Sequence, residues 1–548
     1  SIRKKIRLLK EMEKEGFKEY EYVFEKYEEL LEYISKKMIE DYNKKNNTDF
    51  DFYEVVRGNY NTFLNSGVMT VLTKQHIPRL IGEAFEEAFP DNPKDEYMVT
   101  RKVKSALARM KRKIYIHLGD TNTGKTYNAV ERLKTAKKGV YLSPLRILAL
   151  ENYDKLNNEG IICDLMTGEE EIINENSTHV SCTIEKVNLK QSYDIAVIDE
   201  IQMISDTQRG IAWSRALLGL RCNEIHICGA MNAKDILIKI LEDCEDDYEI
   251  KEYHRNIPLV VETKNFSYND VQEGDAIVVF SKKRVLEIAQ DYSNKGIKTS
   301  IIYGDLPPEV RKMQYEQFIN KENKVLVTTD AIGMGVNLPI RRIVFMAIRK
   351  FDGEEVRELT SQEVKQIAGR AGRKGIYDTG YVSGVSDTHN FISRKLEMKD
   401  DIIKQAVIGP SEEILTIKSL PLNEKLVLWK TRESRINYYT KMDISEYLLI
   451  LEKIKRYKLK EEDQWDLLKV PFDVANEELM DKFLEYVDEI FVGKVDEITK
   501  PQCFTGNLDD LEIYYQKINM YYSFSKIFNL KFDVNWVYNE RLKVSEDI

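Results

Sequence analysis

KIYIHLGDTNTGKTYNAVERLK, residues 113–134, is the stretch on which the fold turns. It opens on an apolar run suited to a buried strand, breaks at Gly119, and resumes after Lys125 with apolar residues at helical spacing. The break, GDTNTGKT (119–126), fits G-x-x-x-x-G-K-[ST] in the strand–loop–helix setting that phosphate binding needs. Gly119 and Gly124 let the backbone curl until its amides face phosphate oxygens, and the helix start adds the positive end of its dipole. Lys125 would then reach the β- and γ-phosphates and Thr126 would hold Mg²⁺, with Thr121, Asn122, Thr123 and Tyr127 completing the nucleotide loop. A glycine-rich surface turn is the bland alternative, and the flanking strand and helix speak against it.

Outward from this loop the same alternation continues. KIYIHL, GVYLSP, DIAVID and EIHICG form one set of short apolar runs separated by helical segments, and AIVVFS, TSIIYG, KVLVTTD and RRIVFMA form a second. Near-continuous apolar strands alternating with helices predict parallel sheets covered on both faces. The sets part at YHRNIPLV (253–260), where Pro258 and its polar neighbours read as a hinge. Upstream, segments such as YEELLEYISKKMIEDY have helical periodicity; downstream of about 405 the strands stop, and GPSEEI reads as a helix start with Ser411 as N-cap. The expected domains are therefore 1–110 (helical), 111–258 (phosphate loop), 259–405 (second α/β lobe) and 406–548 (helical), since 548 residues exceed what one core holds.

Asp199 and Glu200 end the run DIAVID, where an aspartate can hold Mg²⁺ and its neighbour can orient attacking water; an exposed acidic turn is the alternative when the pair is taken alone. A kinase or GTPase needs nothing further, yet a second lobe follows and closes on QIAGRAGR (366–373). Read as a helix, this places Arg370 and Arg373 one turn apart on a face that meets the γ-phosphoryl group from across a cleft. A solvated basic helix would be poorly served by two glycines, each costing about 1 kcal/mol against Ala. VTTDAIGMGVNL (327–338) is the companion loop, with Asp330, Gly333 and Gly335 toward the nucleotide and Thr328 or Thr329 toward a strand phosphate.

Composition narrows the class. Hydrophobic residues make up 43% and charged residues 32%, ordinary for a folded chain, and the net charge of −10 confines any polyanion site to a local groove. RKVKSALARMKRK (101–113) either touches such a polyanion or is a solvated helix. The six cysteines lack C-x-x-C spacing and read as reduced, buried thiols; the six histidines lack metal-ligand spacing. LEIYYQKINMYYSF reads as core packing, with base stacking or partner docking as the minority alternative. No run reaches the roughly 18 apolar residues of a membrane span. The first residue is Ser1, so a removed targeting peptide stays open; the expected location is cytoplasmic, or the mitochondrial matrix if a transit peptide has been cut away.

The ordered set GDTNTGKT, SPLRILA, TGEE, SCTIE, DEIQ, VVFSKK, VTTDAIGMGVNL and QIAGRAGR resembles the superfamily-two DExH helicases, and THVSCTIE, AVIDEIQMI, RGIAWSRALLGL, IYGDLPPEVR and DAIGMGVNLPIRRIVF are similar to the mitochondrial degradosome RNA helicases of the Suppressor-of-Var type and their bacterial relatives. The likeness spans roughly 112–400, with a looser one in the helical C-terminal region. It implies an α/β fold of two tandem RecA-like P-loop domains with helical N-terminal and C-terminal domains. The implied activity is ATP-dependent RNA unwinding, 3′ to 5′, in RNA turnover, on single-stranded RNA or a tailed duplex with a 3′-exoribonuclease as partner and no membrane. DNA or RNA/DNA duplexes are further candidate substrates, and a DNA helicase or translocase on the same motor is the alternative. ATP, with other NTPs admitted, and Mg²⁺ would be the cofactors.

By the same likeness Lys125, Thr126, Asp199, Glu200, Gln366, Arg370 and Arg373 fall on ATPase positions. Pro144, Arg146, Thr167, Gly168, Thr183, Ser281, Lys282, Gly304 and Thr328 fall on loops gripping the sugar-phosphate backbone, and such contacts carry no sequence information. The segment from Leu338 to Gln366, with its Asp352-Gly353 turn, matches the place of a strand-separating hairpin. Two departures stand out: Cys228-Gly229-Ala230 lacks the family's acidic residue, and nothing ahead of Gly119 resembles an adenine-selecting motif, which predicts hydrolysis of several NTPs.

Overall fold

The computed structural model describes residues 111–120, 123–333, 337–352, 355–417 and 420–548, together with scattered positions between 33 and 96. The expected helical domain over 1–110 lies almost wholly outside the described residues, as do Thr121, Asn122, Gly335, Gly353 and residues 101–110 of the basic run. The chain divides into two compact units: Tyr97–Val407 with Tyr438–Thr440 and Val470–Ile548, and Ser1–Glu96 with Ile408–Asn437 and Lys441–Lys469.

The larger unit carries both sheets. The first contains β1 (Lys113–Gly119), β2 (Gly139–Ser143), β3 (Cys163–Met166), β4 (Glu171–Ile172), β5 (His179–Thr183), β6 (Ser192–Ile198), β7 (Arg221–Gly229) and β8 (Asp247–Tyr253), in the order β4-β3-β5-β2-β6-β7-β1-β8. Only β4 runs antiparallel, against β3. Between strands run α1 (Lys125–Leu133), α2 (Arg146–Asn158), α3 (Gly210–Gly219) and α4 (Lys234–Asp243). Ile114, Leu142, Val197 and Ile227 on the central strands have no exposed surface, which is why these strands read as unbroken apolar runs. The apolar face of α1, Ala129, Val130 and Leu133, packs on Tyr141, Ile195 and Val197, and so fixes the helix start at the carboxyl ends of the strands.

The chain enters the second sheet between Tyr253 and Leu259. Here β9 (Leu259–Val261), β10 (Asp275–Val278), β11 (Thr299–Ile302), β12 (Val325–Thr328), β13 (Arg342–Phe345) and β16 (Gly380–Gly384) order as β11-β12-β10-β13-β16-β9, all parallel. Helices α5 (Lys282–Asn294), α6 (Pro308–Ile319), α7 (Ser361–Ala368) and α8 (His389–Glu397) cover it, and the hairpin β14 (Arg349–Phe351)–β15 (Val356–Glu358) precedes α7. Ile147 and Leu148 of α2 belong to this second core, so the two sheets are packed together through α2.

The strands that sequence periodicity passed over are short or polar: β8, DYEIKEY, leaves most of its side chains exposed at a sheet edge. Helices α12 (Glu477–Phe491), α13 (Leu508–Ile527) and α14 (Val534–Asp547) complete this unit. Asn476, Asn507 and Asp533 cap them by accepting backbone N–H groups. The aromatic run on α13 is core, with Tyr514, Tyr515, Tyr521, Tyr522 and Phe524 all buried.

The smaller unit holds α9 (Leu422–Thr431), α10 (Ser445–Ile454) and α11 (Glu461–Leu468). Ser411 does accept the N–H of Glu413, at 3.3 Å, but it starts a 3₁₀ turn over Glu412–Thr416 instead of an α-helix. The fully buried Lys425 pairs with Glu461 at 2.8 Å. None of the six cysteines is in a disulfide, and all but Cys503 are buried. No described helix is long and apolar enough to cross a membrane.

Candidate active site

The carboxyl ends of β1 and β6 bring the first set of candidate residues together. Gly119 has no room for a side chain, since a Cβ there would sit 2.2 Å from the Tyr253 carbonyl oxygen. The loop therefore rises tightly out of β1, and α1 begins at Lys125 with its free amides at the loop's mouth. Lys125 Nζ reaches back to the Asp120 carbonyl at 2.9 Å. The Thr126 hydroxyl donates to Asp199 Oδ1 at 3.1 Å, and Tyr141, fully buried on β2, donates to Asp199 Oδ2 at 2.6 Å. Burial, reinforced by the neighbouring Glu200 charge, pushes the Asp199 carboxyl up to about 6, while those hydrogen bonds pull it down. A hydroxyl and a carboxylate 3.1 Å apart are hard oxygen donors that suit Mg²⁺.

Glu200 sits in the left-handed backbone region, φ 51°, uncommon for a residue with a side chain and worth roughly 1–3 kcal/mol of strain. Gln202 holds its carboxylate: Gln202 Nε2 donates to Glu200 Oε2, and Gln202 Oε1 accepts from Ala230 N at 3.1 Å. The backbone of the Cys228-Gly229-Ala230 loop, which lacks the expected acidic side chain, thus reaches Glu200 through Gln202.

Arg370 and Arg373 differ from their expected setting. Helix α7 ends at Ala368, Gly369 caps it, and both arginines lie in the turn that follows. Gly372 dictates this: its φ is +85°, and a Cβ would meet Ile257 at 2.7 Å. Arg255, from the segment joining the two sheets, clasps the turn by donating to the Gly369 carbonyl at 2.6 Å, to the Ala371 carbonyl, and to Ile257 O at 2.7 Å. Sequence reading took this segment only as a hinge; a lone arginine capping a remote helix end leaves no local signal. Arg370 is buried, which lowers its pKa, and Glu200 and Asp199 are among the charges that oppose the shift.

One cleft of about 920 Å³ collects these groups. Its wall includes Gly119, Thr123, Gly124, Lys125, Thr126, Tyr127, Asp199 and Glu200 from the first sheet's side and Gln366, Arg370 and Arg373 from the second. Gln202, Arg255, Asn337, Gln362 and Lys365 also line it and were not foreseen. Asp330 and Gly333 bound a 3₁₀ turn off this wall, and Asp330 is paired with Lys350 of the hairpin at 2.7 Å.

The expected strand-gripping residues fare unevenly. Thr328 is wholly buried and its hydroxyl donates to the Thr329 carbonyl, so its side chain cannot meet a phosphate; that expectation is corrected by burial in β12. Pro144 and Thr167 are buried as well, Thr167 accepting the N–H of Glu170 at 3.1 Å. Gly168 and Thr183 are half-buried, and Ser281 and Gly304 are exposed. Arg146 is enclosed by four partners: Glu169, Glu170 at 2.8 Å, Glu309 at 2.7 Å and the Tyr515 hydroxyl at 2.9 Å. Lys282 is likewise engaged, with Asp509 at 2.7 Å and Glu512. Phe351 and Val356, register partners in the hairpin, are both exposed.

Residues 93–253 match the DEXQ-box helicase domain of Suv3, 260–375 the helicase conserved C-terminal domain, and 508–548 the ATP-dependent RNA helicase SUV3 C-terminal domain. The chain carries a Suv3-type DEXQ-box helicase domain, a helicase conserved C-terminal domain and a SUV3 C-terminal domain. Among its relatives, the mitochondrial DExH-box ATP-dependent RNA helicase DExH18 of Arabidopsis thaliana is 36% identical over 77% of this chain and 57% of its own. The mitochondrial ATP-dependent RNA helicase SUV3 of Candida albicans is 40% identical over 65% and 52%, and human SUPV3L1 is 40% identical over 54% and 39%. The chain thus spans between 39% and 57% of the length of these relatives. The DEAH/RHA helicase HrpB of Escherichia coli shares the fold, with a TM-score of 0.50 at 13% identity, covering 77% of this chain and 59% of that one.

Proposed function

We propose that this chain is the motor of an ATP-driven RNA helicase that tracks a single strand 3′ to 5′ and separates duplexes in RNA turnover. The observation that carries the reading is the shared cleft: Lys125, Thr126, Asp199 and Glu200 line it from one sheet, Gln366, Arg370 and Arg373 from the other. A triphosphate in that cleft would have its β- and γ-phosphates at Lys125 and the amides of α1. Thr126 and Asp199 would hold Mg²⁺, which would supply charge neutralisation for the phosphates. Glu200, steadied by Gln202, would orient a water and take its proton as the water oxygen bonds to the γ-phosphorus and the bond to the β–γ bridging oxygen breaks. Arg370 and Arg373 would meet the charge developing on the γ-phosphoryl oxygens. Because the arginines come from the second lobe, hydrolysis requires the lobes together, and product release lets them part.

The names of the relatives support RNA as the strand, a mitochondrial location and ATP as the fuel. The absence of a recognisable adenine-selecting motif in the sequence favours use of several NTPs. A 3′-exoribonuclease is the proposed partner. A DNA translocase on the same motor is the second reading, since the cleft residues serve either strand.

Unwinding of duplexes tailed at 3′ or 5′, in RNA and in DNA, tests substrate and polarity together. The expected result is ATP-dependent opening of 3′-tailed RNA, abolished in Glu200→Gln with nucleotide binding kept. Turnover stimulated by DNA alone, or unchanged in Glu200→Gln, would overturn the proposal.

A further inference from the structure

Trp213 on α3 stands between two parts of the first lobe that the proposed cycle must connect. Its ring is wholly buried, and its Nε1–H donates to the backbone carbonyl of Asp199 at 2.8 Å. Against it lies the Arg209 guanidinium, 5.2 Å from the ring centroid. Two nitrogens of that guanidinium reach two loops. One nitrogen donates to the Pro144 carbonyl at 2.7 Å and to Glu185 Oε1 at 2.8 Å, and Nε reaches the same Glu185 oxygen at 3.0 Å. Pro144 lies in the turn between β2 and α2, and Glu185 in the 3₁₀ turn Ile184–Lys186 immediately after Thr183. Asp206 Oδ1 accepts the Arg209 N–H at 2.8 Å and fixes where α3 starts.

We propose that Arg209 and Trp213 are positioning residues that couple the Asp199–Glu200 strand end to the strand-binding loops at Pro144–Arg146 and Thr183–Glu185. The inference rests on reading the cleft as an RNA-stimulated motor. A close-packed indole cannot shift independently of the carbonyl it holds. A planar guanidinium holds two loops at fixed distance and direction, which a flexible ammonium does not. Movement of the Asp199 peptide as its carboxylate changes partners is therefore passed to both loops, and a strand that orders the loops steadies Asp199 in return. Couplings of this kind span roughly 5- to 150-fold.

Arg209 is also 34% exposed, which leaves direct contact with a strand phosphate as the competing outcome. Steady-state turnover of the purified chain, with single-stranded oligouridylate over a range of salt concentrations, separates the two. In Arg209→Gln and Trp213→Phe, basal turnover and half-saturating RNA should stay within about twofold, while turnover at saturating RNA falls on the order of tenfold. Arg209→Lys, which keeps the charge but not the fork, should fall likewise. Weaker RNA binding in Arg209→Gln, with a salt slope reduced by about one and full stimulation at saturation, would mean a phosphate contact and overturn the relay. So would variants indistinguishable from wild type. Wild-type protein that RNA does not stimulate refutes the motor reading and the relay together, so the two failures are told apart.

Discussion

Arg255→Met tests whether the arginine turn must be held from outside. Arg255 makes three hydrogen bonds to main-chain carbonyls, to Ala371, to Gly369 at 2.6 Å and to Ile257 at 2.7 Å, and two of those carbonyls, Gly369 and Ala371, belong to the turn that carries Arg370 and Arg373. Methionine preserves the apolar stem and removes every donor. A carbonyl left unsatisfied when buried costs about 1–3 kcal/mol, so the turn gains several kcal/mol by moving until water or another donor reaches it. Displacement of a positioned group by about 1 Å costs on the order of 100-fold in rate. Turnover measured by phosphate release should therefore fall by about two orders of magnitude, since the role proposed for the arginines is in the transition state alone. Nucleotide affinity should change by less than about tenfold, since Lys125 and the α1 amides lie on the other sheet. Arg255→Lys keeps the charge but cannot span two carbonyls in a fixed plane, and should recover only a fraction. Wild-type turnover in Arg255→Met, in protein with an unchanged melting curve, would refute the claim that this residue sets the arginine geometry.

Tyr141→Phe removes a charge-assisted hydrogen bond of 2.6 Å from Asp199 and nothing else of size; with such a bond worth about 1.5–3 kcal/mol, the Mg²⁺ concentration for half-maximal turnover should rise by about tenfold or more. An unaltered Mg²⁺ titration would count against a metal-holding role for Asp199. Glu512→Gln takes one of two carboxylates from Lys282, and should tighten single-stranded RNA binding and steepen its salt dependence by up to about one counterion; equal or weaker binding would show that α13 does not compete for Lys282. Burial, helped by the charges of His226 and Lys251, holds His117 down at about 4 against 6.5 when unfolded. The unfolded chain therefore takes up the proton first, so stability is complete above about 6.5 and is lost as the pH falls toward 4. His117→Gln should flatten that part of the melting-temperature profile, and matching slopes in both proteins would exclude His117 as the source.

How much of this was readable beforehand follows from the range of each interaction. The phosphate loop is a local object: strand, turn and helix lie within 22 consecutive residues, and Lys125 and Thr126 stand at its mouth as the pattern requires. Asp199 is nearly as legible, because it ends an apolar run. The arginine segment was read in the right place and in the wrong conformation, since helical spacing was extended through two glycines, and Gly372 at φ +85° does not continue a helix. Arg255 and Gln202 were missed for the opposite reason. Each acts on a backbone group far along the chain or across a turn, and nothing in the neighbouring letters distinguishes such an arginine or glutamine from a solvated one. Arg146 shows the limit of motif transfer most clearly. A basic residue in a strand-binding loop was expected to be open to phosphate, yet its partners Glu309 and Tyr515 lie 163 and 369 positions away, beyond any reading by spacing.

Those remote partners bear on how a chain with net charge −10 can hold a polyanion at all. Along one side of α13, Asp509 and Glu512 meet Lys282, Glu512 meets Tyr303, Tyr515 meets both Arg146 and Glu309, and Asn519 meets Glu169. These positions recur at helical spacing, so a single face of α13 reaches loops from both sheets. The cations proposed to grip a strand are thus neutralised by carboxylates of the same unit, and a phosphate at Lys282 has to take the place of Asp509 and Glu512. Binding then exchanges one charge pair for another, with a net gain much smaller than the bare attraction. On the proposed reading, a grip made in this way would be weak enough at each phosphate to be released and remade, as a translocating motor requires.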